Sequence, residues 1–129
     1  MRLGIIAEGK ADIAVIKAVL KALKGIDGSD VVQLRPSEQF DETDLNEMNF
    51  SNWNLVLKSC EDISLLQSFF DVLADDALLV VQIDTAERGE AGYDINEPLR
   101  TKDTDWKEYC DYLYKAVEYK ISNIVPEAY

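Results

Sequence analysis

The chain has 129 residues, a net charge of −12 and no histidine. This length is typical of one domain with its own core, so we treat residues 1–129 as a single domain. Without histidine, catalysis that needs imidazole as a base or a metal ligand is excluded, including the serine and cysteine triads. No apolar run approaches the roughly 20 residues that cross a bilayer, and no signal peptide is recognisable. We therefore expect a cytoplasmic protein that does not contact membranes.

The charge also bears on nucleic acid as a partner. Acidic residues number 25 and basic residues 13, whereas nucleic-acid binders usually carry a basic face that neutralises phosphates. If nucleic acid is the target, divalent cations must offset the acid locally or a basic protein partner must supply the positive surface. The composition gives no prediction of the oligomeric state.

The first half of the chain reads as strand, helix and strand. Residues 2–7 form a continuous apolar run, which predicts a buried strand. Residues 10–24 have apolar side chains at helical spacing, which predicts a helix ended by Gly25. The residues expected to face the core are Ile13, Val15, Ile16, Val19, Leu20 and Leu23. Residues 31–35 predict a second strand, and residues 37–50 predict a loop.

The second half repeats the alternation of helix and strand. Residues 51–73 predict two helices with a break near 61–64, and residues 77–84 predict another buried strand. A long polar connection over 85–104 follows, with Tyr93 expected to anchor it. A last helix over about 103–124 carries Trp106 and Cys110 on its apolar face. Cys60 and Cys110 both occupy apolar helical positions, so we predict two buried free thiols.

Alternating strands and helices indicate an α/β fold. We predict a three-layer domain with a small, mainly parallel sheet flanked by helices. Ligands of open α/β sheets bind beyond the carboxyl ends of the strands. Two predicted strands end there in an acid, the first in Glu8 and the later one in Asp84.

These two acids predict a site for divalent metal and phosphate. Magnesium prefers oxygen ligands and retains several waters, so a few convergent carboxylates suffice to hold it. Glu8 also precedes the start of a helix, whose free N–H groups favour anions. Gly9 is expected to let the backbone turn between the two without a Cβ clash.

The segment Glu8-Gly9-Lys10-Ala11-Asp12, after an apolar strand and before an amphipathic helix, resembles the first motif of the Toprim family. In that family a glutamate follows the first strand and a later strand ends in Asp-x-Asp. The resemblance covers residues 2–24 and 77–94. It implies a Toprim-like fold and Mg²⁺-dependent phosphodiester cleavage or transfer, with Mn²⁺ as the alternative metal. Glu8 would be the general acid or base, with Lys10 beside it on a phosphate, and Asp84 would hold the metal.

The second motif departs from the family, because the chain has Asp84-Thr85-Ala86 where Asp-x-Asp is expected. Glu87 and Glu90 follow shortly and are the candidates to replace the missing carboxylate. Each acid also has a structural interpretation. Glu8 and Asp12 are typical of the first turn of a helix, and Asp84 is typical of a turn after a strand.

The sequence is compatible with three functions. The first is a Mg²⁺-dependent Toprim enzyme that acts on nucleic acid, and Glu8 and Asp84 support it. The second is a Toprim-like regulatory or partner-binding protein without catalysis, in a phage-defence or toxin–antitoxin setting, which Ala86 and the acidic charge favour. The third is a small acidic immunity-type binding protein in which the site carboxylates are incidental.

Overall fold

The computed structural model describes residues 2–35, 52–73, 76–96 and 100–127. In chain order these form β1 (Arg2–Ile6), α1 (Lys10–Lys24), a short 3-10 helix (Gly28–Asp30), β2 (Val31–Arg35), α2 (Asn52–Glu61), α3 (Ile63–Leu73), β3 (Ala77–Val81) and α4 (Trp106–Ile124). The loop predicted over 37–50 lies outside the described residues. Across the described segments, no helix combines the length and apolar character that crossing a membrane requires.

The sheet is parallel and has β1 at its centre. Its strand order is β2-β1-β3, and β1 pairs in parallel with both neighbours. Leu3 lies opposite Val31 of β2 on one side and Leu78 of β3 on the other. The predicted α/β fold with a small parallel sheet is therefore confirmed. β3 ends at Val81, three residues before the predicted end of that strand.

Alternate side chains of β1 face opposite layers of helices, as the period of two in a strand requires. Leu3 and Ile5 are buried in one cluster with Ile13 of α1. Ile6 is buried on the other face, beneath α2 and α4. That second cluster comprises Ile6, Val56 and Cys60, with Leu34, Leu79, Val81, Ile83, Ile121, Ile124 and Val125 packed against it. The sheet is thus the middle of three layers.

Helix α1 has the predicted bounds but a narrower buried stripe than predicted. Gly25 ends it in the left-handed conformation (φ 65°), and the Gly25 N–H donates to the carbonyl of Lys21. Val15, Val19 and Leu23 are 62%, 47% and 74% exposed, so their predicted place in the core is wrong. Among the described residues, α1 is the helix that packs on this face of the sheet; it buries the side chains directed at β1, and its flanking positions stay open to solvent.

Helix α4 begins later than predicted, because Asp105 caps it. The Asp105 carboxylate accepts hydrogen bonds from the N–H groups of Lys107 and Glu108 (2.9 and 3.3 Å). Trp106 is 59% exposed and Cys110 is exposed, so both predictions of burial are wrong. Cys60 is buried as predicted, and burial raises the pKa of its thiol to about 11.

Gly4 sits where the sheet and α3 approach most closely, and it offers a test of that packing. A Cβ at this position would lie 2.9 Å from both Leu34 Cδ1 and Phe69 Cζ. We expect Gly4→Ala to lower the free energy of unfolding by about 1–3 kcal/mol through overpacking. Gly28→Ala is the matched control, because nothing lies within 4 Å of its new Cβ. Urea unfolding that shows equal stability for both variants would contradict the described contact.

The two cysteines should differ in reactivity toward a disulfide reagent. Cys110 is exposed, whereas Cys60 is fully buried and its raised pKa keeps it protonated at pH 8. Because the thiolate is the nucleophile, we expect one thiol to react within the mixing time and the second only on unfolding. The Cys110→Ser variant should then show no fast phase, and a fast phase that survives would contradict the assignment.

Candidate functional site

The carboxyl ends of β1 and β3 are joined by side chains that continue the hydrogen-bonding pattern of the strands. The last main-chain bond of the pair runs from the Gln82 N–H to the carbonyl of Ile6 (2.8 Å). Two residues after Ile6, just beyond the end of β1, the Glu8 N–H donates to Oε1 of Gln82 (3.1 Å). The Asp84 N–H in turn donates to Oε2 of Glu8. The bond from the Asp84 N–H thus brings together the two acids predicted from the sequence, while Gln82 holds the main chain of Glu8.

Asp84 is held by the loop that follows it. Its Oδ1 accepts a hydrogen bond from the Ala86 N–H (2.8 Å), and its carbonyl accepts one from the Tyr93 hydroxyl (3.0 Å). Asp84 is nevertheless exposed. A carboxylate has about four lone-pair sites, so one N–H partner leaves it able to accept others.

The electrostatics of Glu8 are those of a carboxylate in a negative field. Its pKa is raised, first by burial and then by the charges of Asp84, Asp12 and Glu87; the hydrogen bond from the Asp84 N–H acts in the opposite direction. Negative charge here also acts on Tyr93. Burial, together with the charges of Glu8 and Asp84, raises the pKa of Tyr93 to about 12. Several negative charges therefore converge on this end of the sheet.

The other predicted site residues are placed unequally. Lys10 is exposed and is the first residue of α1, two positions from Glu8. Glu87 and Glu90 are both exposed on the loop after β3, and of the two it is Glu87 whose charge raises the pKa of Glu8. Within the described segments, no three acidic, cysteine or histidine side chains are already arranged to hold a metal ion.

Two local expectations around Glu8 are wrong. Gly9 is the N-cap of α1 with φ −153° and ψ 167°, an extended conformation that any residue adopts. A Cβ there would lie 3.5 Å from Asp12 Oδ2, which is an ordinary contact. Asp12 lies in the first turn of α1, as its structural interpretation predicts. Glu8 precedes the N-cap Gly9 and no side chain caps the start of α1, so the structural interpretation of Glu8 is wrong. Glu8 directs its carboxylate to β3 instead.

The loop after β3 is fixed to the body of the protein. Tyr93 is fully buried and stacks at a tilt on Trp53, with ring centroids 5.1 Å apart, which confirms its predicted anchoring role. Arg88 donates to the carbonyl of Thr85 (2.7 Å) and to the Tyr109 hydroxyl (2.9 Å). The position of Asp84 is thus set by contacts with α2 and α4 as well as by β3.

Gln82 is the site residue that the sequence analysis missed. Its side chain receives the N–H of Glu8 and so fixes the backbone from which the Glu8 carboxylate projects. A signal was present, since Gln82 is the one polar side chain in the run 77–83. A polar residue at the end of a buried strand needs a hydrogen-bond partner, which points to a role at the strand end.

The raised pKa of Glu8 predicts that its charge opposes folding when no metal is present. The native state keeps a proton at Glu8 to higher pH than the unfolded chain does, so stability is lost as pH rises through the raised pKa. In EDTA at pH 7 we expect Glu8→Gln to unfold at an equal or higher urea midpoint than the unsubstituted protein, because an amide oxygen can still accept the Asp84 N–H. Glu90→Gln is the control and should leave the midpoint unchanged. A marked loss of stability in Glu8→Gln alone would refute this electrostatic description.

Comparison of the chain with known proteins adds nothing to this geometry: no family model matches it, and neither the curated proteins nor the solved structures contain a match.

Proposed function

We propose that the protein binds a divalent cation, Mg²⁺ or Mn²⁺, between Glu8 and Asp84 and uses it in the cleavage or transfer of nucleic-acid phosphodiesters. The observation that carries the proposal is the hydrogen bond from the Asp84 N–H to the Glu8 carboxylate, which unites two acids at the carboxyl ends of adjacent parallel strands. That edge of an α/β sheet is where ligands bind. The resemblance of residues 8–12 to the first Toprim motif supports the same assignment.

The donor set suits a hard cation that keeps much of its water. Mg²⁺ is commonly held by one or two carboxylates together with water and substrate phosphates, so Glu8 and Asp84 need no third fixed ligand. Glu87 is the candidate to replace the carboxylate missing at Ala86, because its charge is among those that act on Glu8. Burial is the main cause of the raised pKa of Glu8, and a cation would relieve the repulsion from neighbouring carboxylates that adds to it.

The chemistry at this edge would divide between the metal and the chain. A bound Mg²⁺ supplies positive charge to phosphate oxygens. Glu8, whose pKa is raised by burial and by the neighbouring carboxylates, would transfer a proton to or from the reacting oxygen. Lys10 is exposed at the first position of α1 and would contact a phosphate beyond Glu8.

A second function is favoured by a specific observation at Ala86. This residue stands where the family pattern has its second aspartate, and its N–H occupies Oδ1 of Asp84. The site would then retain the Toprim-like shape without turnover, and the protein would act as a regulatory or partner-binding subunit. The net charge of −12 suits a basic protein partner.

Calorimetric titration with Mg²⁺ and Mn²⁺ tests the cation site. We expect saturable binding by the unsubstituted protein and none by Glu8→Gln or Asp84→Asn. Glu87→Gln should bind more weakly, and Glu90→Gln should bind like the unsubstituted chain. At ten times the dissociation constant, the cation should raise the free energy of unfolding by roughly 1.4 kcal/mol. Identical heats for the unsubstituted protein and Glu8→Gln would disprove the site.

Turnover separates the two functions once binding is established. The unsubstituted protein should cleave labelled single-stranded or double-stranded DNA or RNA in the presence of Mn²⁺, and Glu8→Gln should not. If the protein binds cation but cleaves none of these substrates, and Ala86→Asp restores cleavage, the regulatory function is the correct one.

A further inference from the structure

A second surface lies on the outer edge of β3, at the opposite side of that strand from β1. β3 is an edge strand of the sheet as described, since the order is β2-β1-β3. Its hydrogen bonds to β1 involve alternate residues: the carbonyl of Asp76 accepts from the Arg2 N–H (3.0 Å), and the Gln82 N–H donates to Ile6 (2.8 Å). By the alternation of a β-ladder, the N–H and C=O groups of Ala77, Leu79 and Val81 point outward.

This edge is accessible and apolar. Leu78 is 52% exposed, an unusual exposure for a leucine in a sheet. Two open grooves of about 640 and 700 Å³ follow the strand, and Leu79, Val81 and Ile121 contribute to both. One groove extends toward Ile16 of α1 and the other toward Pro126 after α4. A row of outward main-chain groups bordered by apolar grooves is a template for an added strand.

The charges around this edge indicate what kind of added strand would bind there. Glu118 lines one groove and Glu127 lines the other, and among the residues that the structure describes no lysine or arginine lines either groove. The whole chain carries a net charge of −12. A second copy of the chain would bring like charges together, whereas a basic segment would meet complementary charge.

We propose that the outer edge of β3 binds an extended segment of a basic partner protein, which adds to the sheet as a fourth strand next to β3. Apolar side chains on one face of that segment occupy the grooves, and lysine or arginine side chains on the other positions meet Glu118 and Glu127. One groove reaches Gln82 at the border of the Glu8–Asp84 site, but the main-chain groups that would pair with the added strand belong to Ala77, Leu79 and Val81, and the proposal does not depend on cation binding.

A fluorescently labelled ten-residue peptide of alternating valine and lysine tests the proposal directly. Fluorescence anisotropy should show saturable binding that weakens as salt is added. A valine–glutamate peptide should not bind, and neither should a valine–lysine peptide with proline at two central positions. Equal binding of the lysine and glutamate peptides, or undiminished binding of the proline peptide, would overturn the proposal.

Variants of the protein locate the binding surface. Leu79→Pro removes an outward N–H while sparing the bonds to β1, so it should weaken peptide binding about two- to tenfold. Glu118→Lys leaves the strand intact and should also weaken binding, so the test stands even if Leu79→Pro unfolds. Glu61→Lys is the matched control on the exposed surface of α2 and should bind normally.

Sedimentation distinguishes the partner strand from a second copy of this chain. The sedimentation coefficient of the unsubstituted protein should not change with protein concentration, because a second copy does not occupy this edge. A dimer that dissociates in Glu118→Lys or Leu79→Pro would show that a second copy occupies the edge. If Glu61→Lys weakens peptide binding as much as Glu118→Lys does, the peptide responds to net charge alone. Either result would overturn the proposal.

Discussion

The parallel pairing of β1 on both of its edges is the constraint on which the rest of the structure depends. A central strand buried between helices must be apolar on both faces, and Leu3, Ile5 and Ile6 fulfil this. The carboxyl end of β1 is the first point after its buried residues where a charged side chain can reach solvent, and Glu8 lies there beside the end of β3. Because β3 pairs with β1 on one side in the sheet as described, the main-chain groups on its other side face away from the sheet. Both proposed surfaces of the protein therefore follow from the position of β1.

The strands and helices were predictable because their apolar patterns are long and regular. The burial of individual positions was less predictable, since it depends on what lies opposite each face. Val15 and Leu23 fit the helical stripe of α1, yet one layer of three strands is too narrow to cover them. Cys110 fits the pattern of α4 equally well, but no element among the described residues covers that side of the helix. Periodicity shows which face of a helix is apolar, but not which element packs against that face.

The candidate site was predictable only in outline. Parallel strands that end in acids predict that Glu8 and Asp84 meet, and the structure places them in contact. The bond through Gln82 was not predictable, because one sequence does not reveal the register that sets it opposite Glu8. The role of Tyr93 beneath Asp84 depends likewise on how the loop folds back onto Trp53. The effect of the Glu87 charge on the pKa of Glu8 was not predictable either, because it depends on the turns within that loop.

The central claim is that a divalent cation binds at the shared end of β1 and β3, and paramagnetic broadening by Mn²⁺ in an amide NMR spectrum measures this directly. At low Mn²⁺ the amides of Glu8, Asp84 and Ala86 should broaden first. The amides of Leu3 and Ala77 lie toward the other ends of the same strands, five residues from Glu8 and seven from Asp84, or roughly 16 and 23 Å away, and should stay sharp. Broadening that begins at Glu118 and Glu127, or that is uniform over the acidic surface, would contradict the claim.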